Sequence, residues 1–331
     1  MSSKPIDVVG IGNAIVDVLS QAEDAFLEAQ EMPKGSMNLI DAARAEALYG
    51  DMGPAREMSG GSAANTLAGI ASLGGSGAFI GKVRDDQLGA IFRHDIRAAG
   101  VSFESAPATD GAPTARCLIF VTPDAQRTMG TYLGACVTLG PEDVDEALIA
   151  SAKVTYLEGY LWDPPRAKEA FLKAAKVAHE AGREVALSLS DPFCVDRHRA
   201  DFRDLVDGHV DILFANEDEI RSLYEVESFH EAVVAVRSQC KLAVLTRSEQ
   251  GAMILRGTEA WIVEAAPVAQ VVDTTGAGDL YAAGFLYGHT QGRDPEASAR
   301  IAALAAAEII SHYGARPEVE LARHLREQLE R

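Results

Sequence analysis

Cysteine is scarce and scattered in this 331-residue chain. Cys117, Cys136, Cys194 and Cys240 form no CxxC pair, which excludes a disulfide framework or structural zinc site as an expectation and leaves buried thiols. Basic charge is also short. With 49 acidic against 30 basic residues the formal net charge is −19, which opposes any sequence-independent grip on nucleic acid or anionic lipid. No nucleic-acid or membrane partner is therefore expected, and any phosphate must be held by local amides, a few cations and a metal. No uncharged apolar run reaches the roughly 18 residues of a membrane span. Met1 to Asp7 has neither signal-peptide nor transit-peptide character, so a cytoplasmic location is expected. Internal repeats, low-complexity linkers and a GxxxxGK[ST] phosphate loop are all missing.

What is present alternates. The length admits one large α/β domain, or such a domain with an appendage. Ile6 to Gly12 reads as a buried strand ending in Asn13, with Asp17 three apolar residues beyond. Gly10 and Gly12 invite a dinucleotide-binding fingerprint, but its third glycine position holds Ile15 and no helix start follows, which disfavours a Rossmann dehydrogenase. Val16 to Ser20 and Ser36 to Ile40 alternate in strand fashion around a polar helical insert. Thr114 to Thr122 and Arg127 to Leu133 read as a hairpin turning at Pro123-Asp124. These two segments, 16–48 and 114–133, are expected to form a small β lid; 1–15, 49–113 and 134–331 make up the core. From residue 140, strands at 153–158, 185–190, 210–215 and 241–246 alternate with helices at 141–151, 164–181, 198–207, 216–224 and 229–239. That pattern predicts a parallel sheet covered on both faces, with ligands at the carboxyl ends of its strands. Helices at 279–290, 295–312 and 318–330 close the chain.

Three stretches carry possible chemistry. In Gly60-Gly61-Ser62-Ala63-Ala64-Asn65 a Ser able to cap precedes a helix that stops at Gly74-Gly75. Asn65 lies one turn in, on a face of Ala and Gly, where a lone amide is costly unless paired; the stretch is either a closely packed capped helix or a ligand contact. Asn216 and Glu219 share a helical face and, read alone, are an N-cap on a solvated acidic helix. Pro267 to Val272 reads as a strand leading into Asp273-Thr274-Thr275-Gly276-Ala277-Gly278-Asp279 and an apolar helix. There, Asp279 is either a first-turn acid favoured by the helix dipole or a base beside an anion cradle made by the amides of Gly276, Ala277, Gly278 and Asp279.

Together these segments resemble the ribokinase-like (PfkB) family of carbohydrate and purine kinases over nearly the whole chain. Gly60-Gly61-Ser62-x-x-Asn65 is similar to its first signature, Asp273 to Asp279 to its second, and Asn216-Glu217-Asp218-Glu219 to its NxxE element. The resemblance implies an α/β core, a central mostly parallel sheet with helices on both faces, plus a small β-sheet lid. It also implies phosphoryl transfer from ATP to a hydroxymethyl group. Asp279 would accept the hydroxyl proton while the Gly276, Ala277 and Gly278 amides hold the moving phosphate, since such transfer needs positioning and charge neutralisation more than covalent help. By the same resemblance Asn216 and Glu219 organise Mg²⁺ through water, and Arg127 is the candidate cation near the γ-phosphate, its plainer reading being a surface hairpin arginine. Thr246 and Gly251 match part of the nucleotide loop, although Ser248 replaces a usual glycine; Arg84 replaces another, in the Gly81 to Gly89 turn. Asp273 and Thr275 would offer oxygens to a monovalent cation such as K⁺, with Gly314 nearby.

For the acceptor, Asp17, Gly61 and Asn65 match sugar-hydroxyl positions of the family, and Asn13, Gly60 and Ser62 are expected to line the same substrate pocket. Gly10 to Asp17, Ser188 to Phe193 and the Arg127 hairpin are more similar to its adenosine kinases, which implies a nucleoside 5′-hydroxyl, adenosine to AMP, in purine salvage. Glu158, in contrast, matches a carboxylate that ribokinases point at the sugar. Phe120, Tyr132, Leu133 and Met37 are apolar lid candidates for stacking a base, or simply lid core. A kinase of ribose, fructose or another sugar, and a nucleoside- or sugar-binding protein without turnover, are the alternatives. Both a monomer and a homodimer are compatible with the sequence.

Overall fold

A computed structural model describes residues 6–124 and 126–329. The first residues of the Met1 to Asp7 stretch and position 330 of the expected last helix lie outside it. The strands, in chain order, are β1 Val8–Ile11, β2 Ile15–Gln21, β3 Met37–Leu39, β4 Ala55–Gly60, β5 Gly77–Ile80, β6 Val101–Ser102, β7 Ala115–Val121, β8 Arg127–Tyr132, β9 Val154–Glu158, β10 Glu184–Ser188, β11 Ile212–Asn216, β12 Leu242–Thr246, β13 Ala252–Arg256 and β14 Glu259–Val263. The helices are α1 Asp24–Ala29, α2 Ala42–Asp51, α3 Ser62–Ser72, α4 Gln87–Ala98, α5 Glu146–Ser151, α6 Pro165–Glu180, α7 Pro192–Gly208, α8 Glu217–Tyr224, α9 Phe229–Arg237, α10 Ala277–Thr290, α11 Pro295–Ile309 and α12 Leu321–Leu329.

Nine strands form the large sheet in the order β14-β13-β12-β11-β10-β9-β1-β5-β6. From β12 to β6 every pair is parallel, and β13 and β14 are antiparallel. The near-continuous apolar runs follow from burial on both faces. In β1, Val8 enters a core shared with α3, α10 and α11, whereas Val9 and Ile11 enter a second core under α6 to α9. Among the described residues no helix is long and apolar enough to cross a membrane.

The small sheet runs β3-β8-β7-β2-β4. It contains the expected segments and one more, since β4 lies within 49–113, the range assigned to the core. Its sequence, Ala-Arg-Glu-Met-Ser-Gly, hides the strand because charged residues suit an edge. Two further differences concern the end of the large sheet. β13 and β14 form a hairpin about Gly257-Thr258, where strict strand–helix alternation predicts none. Pro267 to Val272 is irregular, not a strand; Pro267 has no amide to donate, and the amide of Val272 is taken by the Ile310 carbonyl at the end of α11 (2.8 Å). The expected helix at 141–151 divides into a short 3₁₀ turn, Pro141–Asp143, and α5, while α7 starts earlier than expected and kinks at His198.

Candidate active site

The parallel register brings the strand ends of the large sheet to one edge. Asn13 follows β1, Glu158 ends β9 beside Ser188 of β10, and Asn216 of β11 lies beside Thr246 of β12. Glu158, 1% exposed, is a hub. Its Oε1 accepts from the Asn13 side chain (2.7 Å) and Asn13 amide (3.2 Å), and its Oε2 accepts from the Ala63 amide (2.8 Å). The start of α3 is thereby capped from across the sheet rather than by Ser62: Gly61 is the N-cap and no side chain of the helix's own end satisfies it. Burial nevertheless pushes the Glu158 carboxyl up to about 7, against the pull of these donors. The room for it comes from Gly12, where a β-carbon would lie 2.3 Å from Oε2.

Ser62, freed from capping, donates to Asp279 Oδ1 at 2.6 Å, and Asn65 Nδ2 donates to Oδ2 at 3.0 Å. Thr66 adds a bond to the Asp279 carbonyl (3.2 Å). Two residues of the expected substrate pocket thus orient the acid at the start of α10. The other half of the Asn65 amide, Oδ1, is buried without a partner, and a buried acceptor in that state calls for a donor from a ligand. Burial raises the Asp279 carboxyl above its ordinary range, opposed by Ser62, Asn65 and the positive charge of Arg316. Around the helix start, Gly276 takes a left-handed φ of 80°. The amides of Gly276, Gly278 and Asp279 have no acceptor among the described residues, whereas the Ala277 amide closes a turn on the Thr274 carbonyl (3.2 Å). The Ala277 amide is therefore not free for an anion, and a β-carbon at Gly278 would meet nothing within 4 Å, so space lies open beside the start of α10.

Asp17 lies against the Gly60-Gly61 turn. A β-carbon at Gly60 would come within 2.3 Å of its carboxylate, and one at Gly61, whose φ is +93°, within 2.2 Å of the Asn13 carbonyl, so the double glycine is what lets the two segments meet. Burial pushes Asp17 up to about 7, with Asp279 adding to the rise and Arg316 and Arg127 opposing it.

Arg127 is not a surface arginine. It pairs with Asp273 through Nη2, both side chains being almost fully buried, and Nη1 donates to Thr275 Oγ1 at 3.2 Å. Asp273 Oδ1 also accepts from Thr275 N and Oγ1 (3.0 and 2.9 Å), and Oδ2 from Gly314 N (3.0 Å). Both oxygens of the Asp273 carboxylate are thus engaged, so this side chain offers no free oxygen to a monovalent cation in this arrangement.

Asn216 and Glu219 cap each other: Glu219 Oε2 accepts from Asn216 N (2.9 Å), Oε1 from Asn216 Nδ2 (2.7 Å), and Asn216 Oδ1 from Glu219 N (2.8 Å). Glu219 is 6% exposed, unlike the solvated residue of the plain reading, and burial pushes it up to about 7 with Asp191 and Asp218 adding to the rise. No group of three His, Cys, Asp or Glu converges on a metal position among the described residues, but each Glu219 oxygen accepts only one bond and can take another from water. That suits Mg²⁺ held through water. In the loop after β12, Gly251 (φ +80°) approaches the Val263 carbonyl, and Ser248 has φ 50°; this left-handed position is where a glycine is ordinarily favoured.

Arg316 is the residue the sequence does not flag. Its Nη1 donates to the Ala64 carbonyl (2.8 Å) and its Nη2 to the Ser59 carbonyl (2.9 Å), and its charge acts on both Asp17 and Asp279. A lone arginine after Gly314-Ala315 has no spacing or pattern to mark it.

A carboxylate oriented by two donors beside free helix-start amides belongs to the chemistry of a phosphotransferase acting on a hydroxyl. Residues 37–321 match the pfkB family carbohydrate kinase, and the chain belongs to this family. It is similar over 98% of its length to the adenosine kinase of Sinorhizobium meliloti, at 56% identity, 100% coverage of that chain and a TM-score of 0.92. A probable sugar kinase of Rhizobium etli CFN 42 is 54% identical over 98% of this chain and 99% of that one, with the same TM-score of 0.92. The ATP-dependent ribose-1-phosphate kinase of Halopiger xanaduensis is 32% identical over 239 residues, 70% of this chain and 73% of the relative.

Proposed function

We propose that the chain transfers the γ-phosphate of ATP to the 5′-hydroxyl of a nucleoside, with adenosine giving AMP. The observation that carries this reading is a row of residues across the small sheet. Leu39, Thr131, Cys117 and Asp17 are successive cross-strand partners and so share one face. At one end is Asp17, a bidentate acceptor for a vicinal diol. At the other, a cavity of about 230 Å³ is lined by Leu39, Ile40, Thr131, Tyr132, Leu133 and Val137. Asp17 and Thr131 are two strand spacings apart, about 10 Å, a span suited to a ribose joined to a base and too long for a monosaccharide. Of the expected base-stacking residues Tyr132 and Leu133 line this cavity; Phe120 is instead in the lid core against Phe26 (5.1 Å), and Met37 is exposed.

Asp279, oriented by Ser62 and Asn65, accepts the proton of the attacking hydroxyl, and its raised affinity for protons suits that task. Asn65 Oδ1 accepts from an acceptor hydroxyl. The amides of Gly276 and Gly278 stabilise charge on the moving phosphoryl group without reorganising. Glu158 is a positioning residue in this scheme, because it is buried with its oxygens bonded to Asn13 and Ala63; the sugar reading loses its carboxylate on this count. Thr246 and Gly251 are assigned to the nucleotide side. Mg²⁺, held by Glu219 and Asn216 through water, would neutralise phosphate charge when bound. A cytoplasmic location goes with this reading, since ATP is supplied there. Leu133→Trp, which fills the cavity, is expected to raise the KM for adenosine by at least about tenfold and to leave any ribose turnover unchanged. An unchanged adenosine KM contradicts the assignment of the cavity to a base.

A further inference from the structure

Gly314, Ala315 and Arg316 touch both halves of the site. The Gly314 amide holds Asp273, and a β-carbon at Gly276 would lie 3.0 Å from Ala315, so the segment backs the loop that enters α10. Arg316 reaches the other way. Its Nε and Nη2 donate to the Ser59 carbonyl (3.2 and 2.9 Å), Nη2 also to Ser59 Oγ (2.9 Å), and Nη1 to the Ala64 carbonyl (2.8 Å). Ser59 is itself anchored, its amide and hydroxyl both donating to Asp95 Oδ2 at 2.7 Å. The residues bracketed by these bonds are the double glycine packed on Asp17 and Ser62 bonded to Asp279. The planar guanidinium suits this clamp because one group spans two carbonyls, which an ammonium cannot do in a fixed geometry.

We propose that Arg316 is a positioning residue for phosphoryl transfer: it clamps residues 59–64 so that Ser62 and Asn65 hold Asp279 toward the acceptor, and it sets a fixed positive charge facing Asp17 and Asp279. The inference rests on the transfer reading above. The other charged and titratable groups facing these carboxylates are Arg127 and the Cys117 thiol on the Asp17 side, Glu158, and the hydroxyls of Tyr156 and Tyr160; Asp95 acts on Arg316 in turn. Loss of the guanidinium therefore leaves Arg127 facing Asp17 and takes from Asp279 the cation that acts on it.

The test compares wild type, Arg316→Lys and Arg316→Gln with Mg·ATP and the acceptor that wild type turns over best, from about pH 5.5 to about pH 9. In Arg316→Gln, kcat is expected to fall by about tenfold or more and the acid limb of kcat/KM to move up by about one pH unit, because removing the cation disfavours the carboxylate form of Asp279. Arg316→Lys keeps the charge and hence the acid limb, but loses kcat because it does not span both carbonyls. KM for Mg·ATP is expected to stay within about twofold in both variants. A folded Arg316→Gln with wild-type kcat and pH profile overturns the inference, as does wild-type kcat in Arg316→Lys if the glutamine variant does not fold. A wild type that turns over neither nucleoside nor sugar overturns the transfer reading and this inference with it, whereas an active wild type with unaffected variants overturns this inference alone.

Discussion

Asp279→Asn separates catalysis from stability in a way set by the hydrogen bonds around Asp279. The amide is isosteric with the carboxylate. Its oxygen can accept from Asn65 Nδ2, which now donates to Oδ2 at 3.0 Å, and its NH₂ can donate to Ser62 Oγ, whose hydroxyl rotates to accept instead of donating over 2.6 Å. No buried group loses its partner, and a carboxylate that burial makes costly to ionise is replaced by a neutral group. Folding stability at pH 8 is therefore expected to be unchanged or to rise by about 1–2 kcal/mol. Removing the proton acceptor, in contrast, costs about 10²–10⁴-fold in rate, or roughly 3–5 kcal/mol of barrier. Urea denaturation of the two proteins at pH 8, with coupled ADP release measured on the same preparations, reads both quantities. Turnover within a few fold of wild type removes Asp279 as the base; a loss of more than about 2 kcal/mol in stability shows that the Ser62–Asp279–Asn65 bonds do not rearrange as argued.

Arg127→Gln leaves Asp273 buried with only Thr275 and Gly314 as donors, so urea denaturation is expected to show a loss of about 3 kcal/mol, and a loss below about 1 kcal/mol contradicts a buried pair. Asp17, Glu158 and Glu219 have carboxyls raised from 3.8 or 4.5 to about 7. Between these values the folded chain retains protons that the unfolded chain has released, so stability is expected to fall as pH rises from about 4 to about 7, and to level off above. Thermal unfolding across that range checks the sign, and Glu158→Gln is expected to flatten part of the slope; stability that rises steadily through the window contradicts it.

The sequence made the parallel core legible because strands buried on both faces are continuously apolar, as in Val8 to Ile11, Ile212 to Ala215 and Leu242 to Leu245, and because amphipathic helices separate them. β4 was not legible, since an exposed edge tolerates Arg56 and Glu57, and Pro267 to Val272 misled because apolar residues can cover a helix end as readily as extend a sheet. In the site, the acid, the double glycine and Asn65 were marked by residue types that make little sense without a partner. Residue type does not name their partners. Ser62 suits a cap or a substrate contact, yet its hydroxyl goes to Asp279, because Glu158 from a distant strand already satisfies the helix start. Arg127 and Asp273 carry separate cation-related expectations, and only the fold joins them. Arg316 acts through carbonyl oxygens, which every residue has, so no side-chain pattern could have pointed to it.

Product identity after incubation with Mg·ATP and an equimolar mixture of adenosine, guanosine, ribose and fructose tests the nucleoside assignment most directly. Phosphorus NMR of the mixture is expected to show a nucleoside 5′-monophosphate, with adenosine exceeding each free sugar in kcat/KM by on the order of a hundredfold or more. Sugar phosphates as the sole products, with adenosine untouched, would contradict the alignment of Asp17 with the cavity at Thr131 as a nucleoside site.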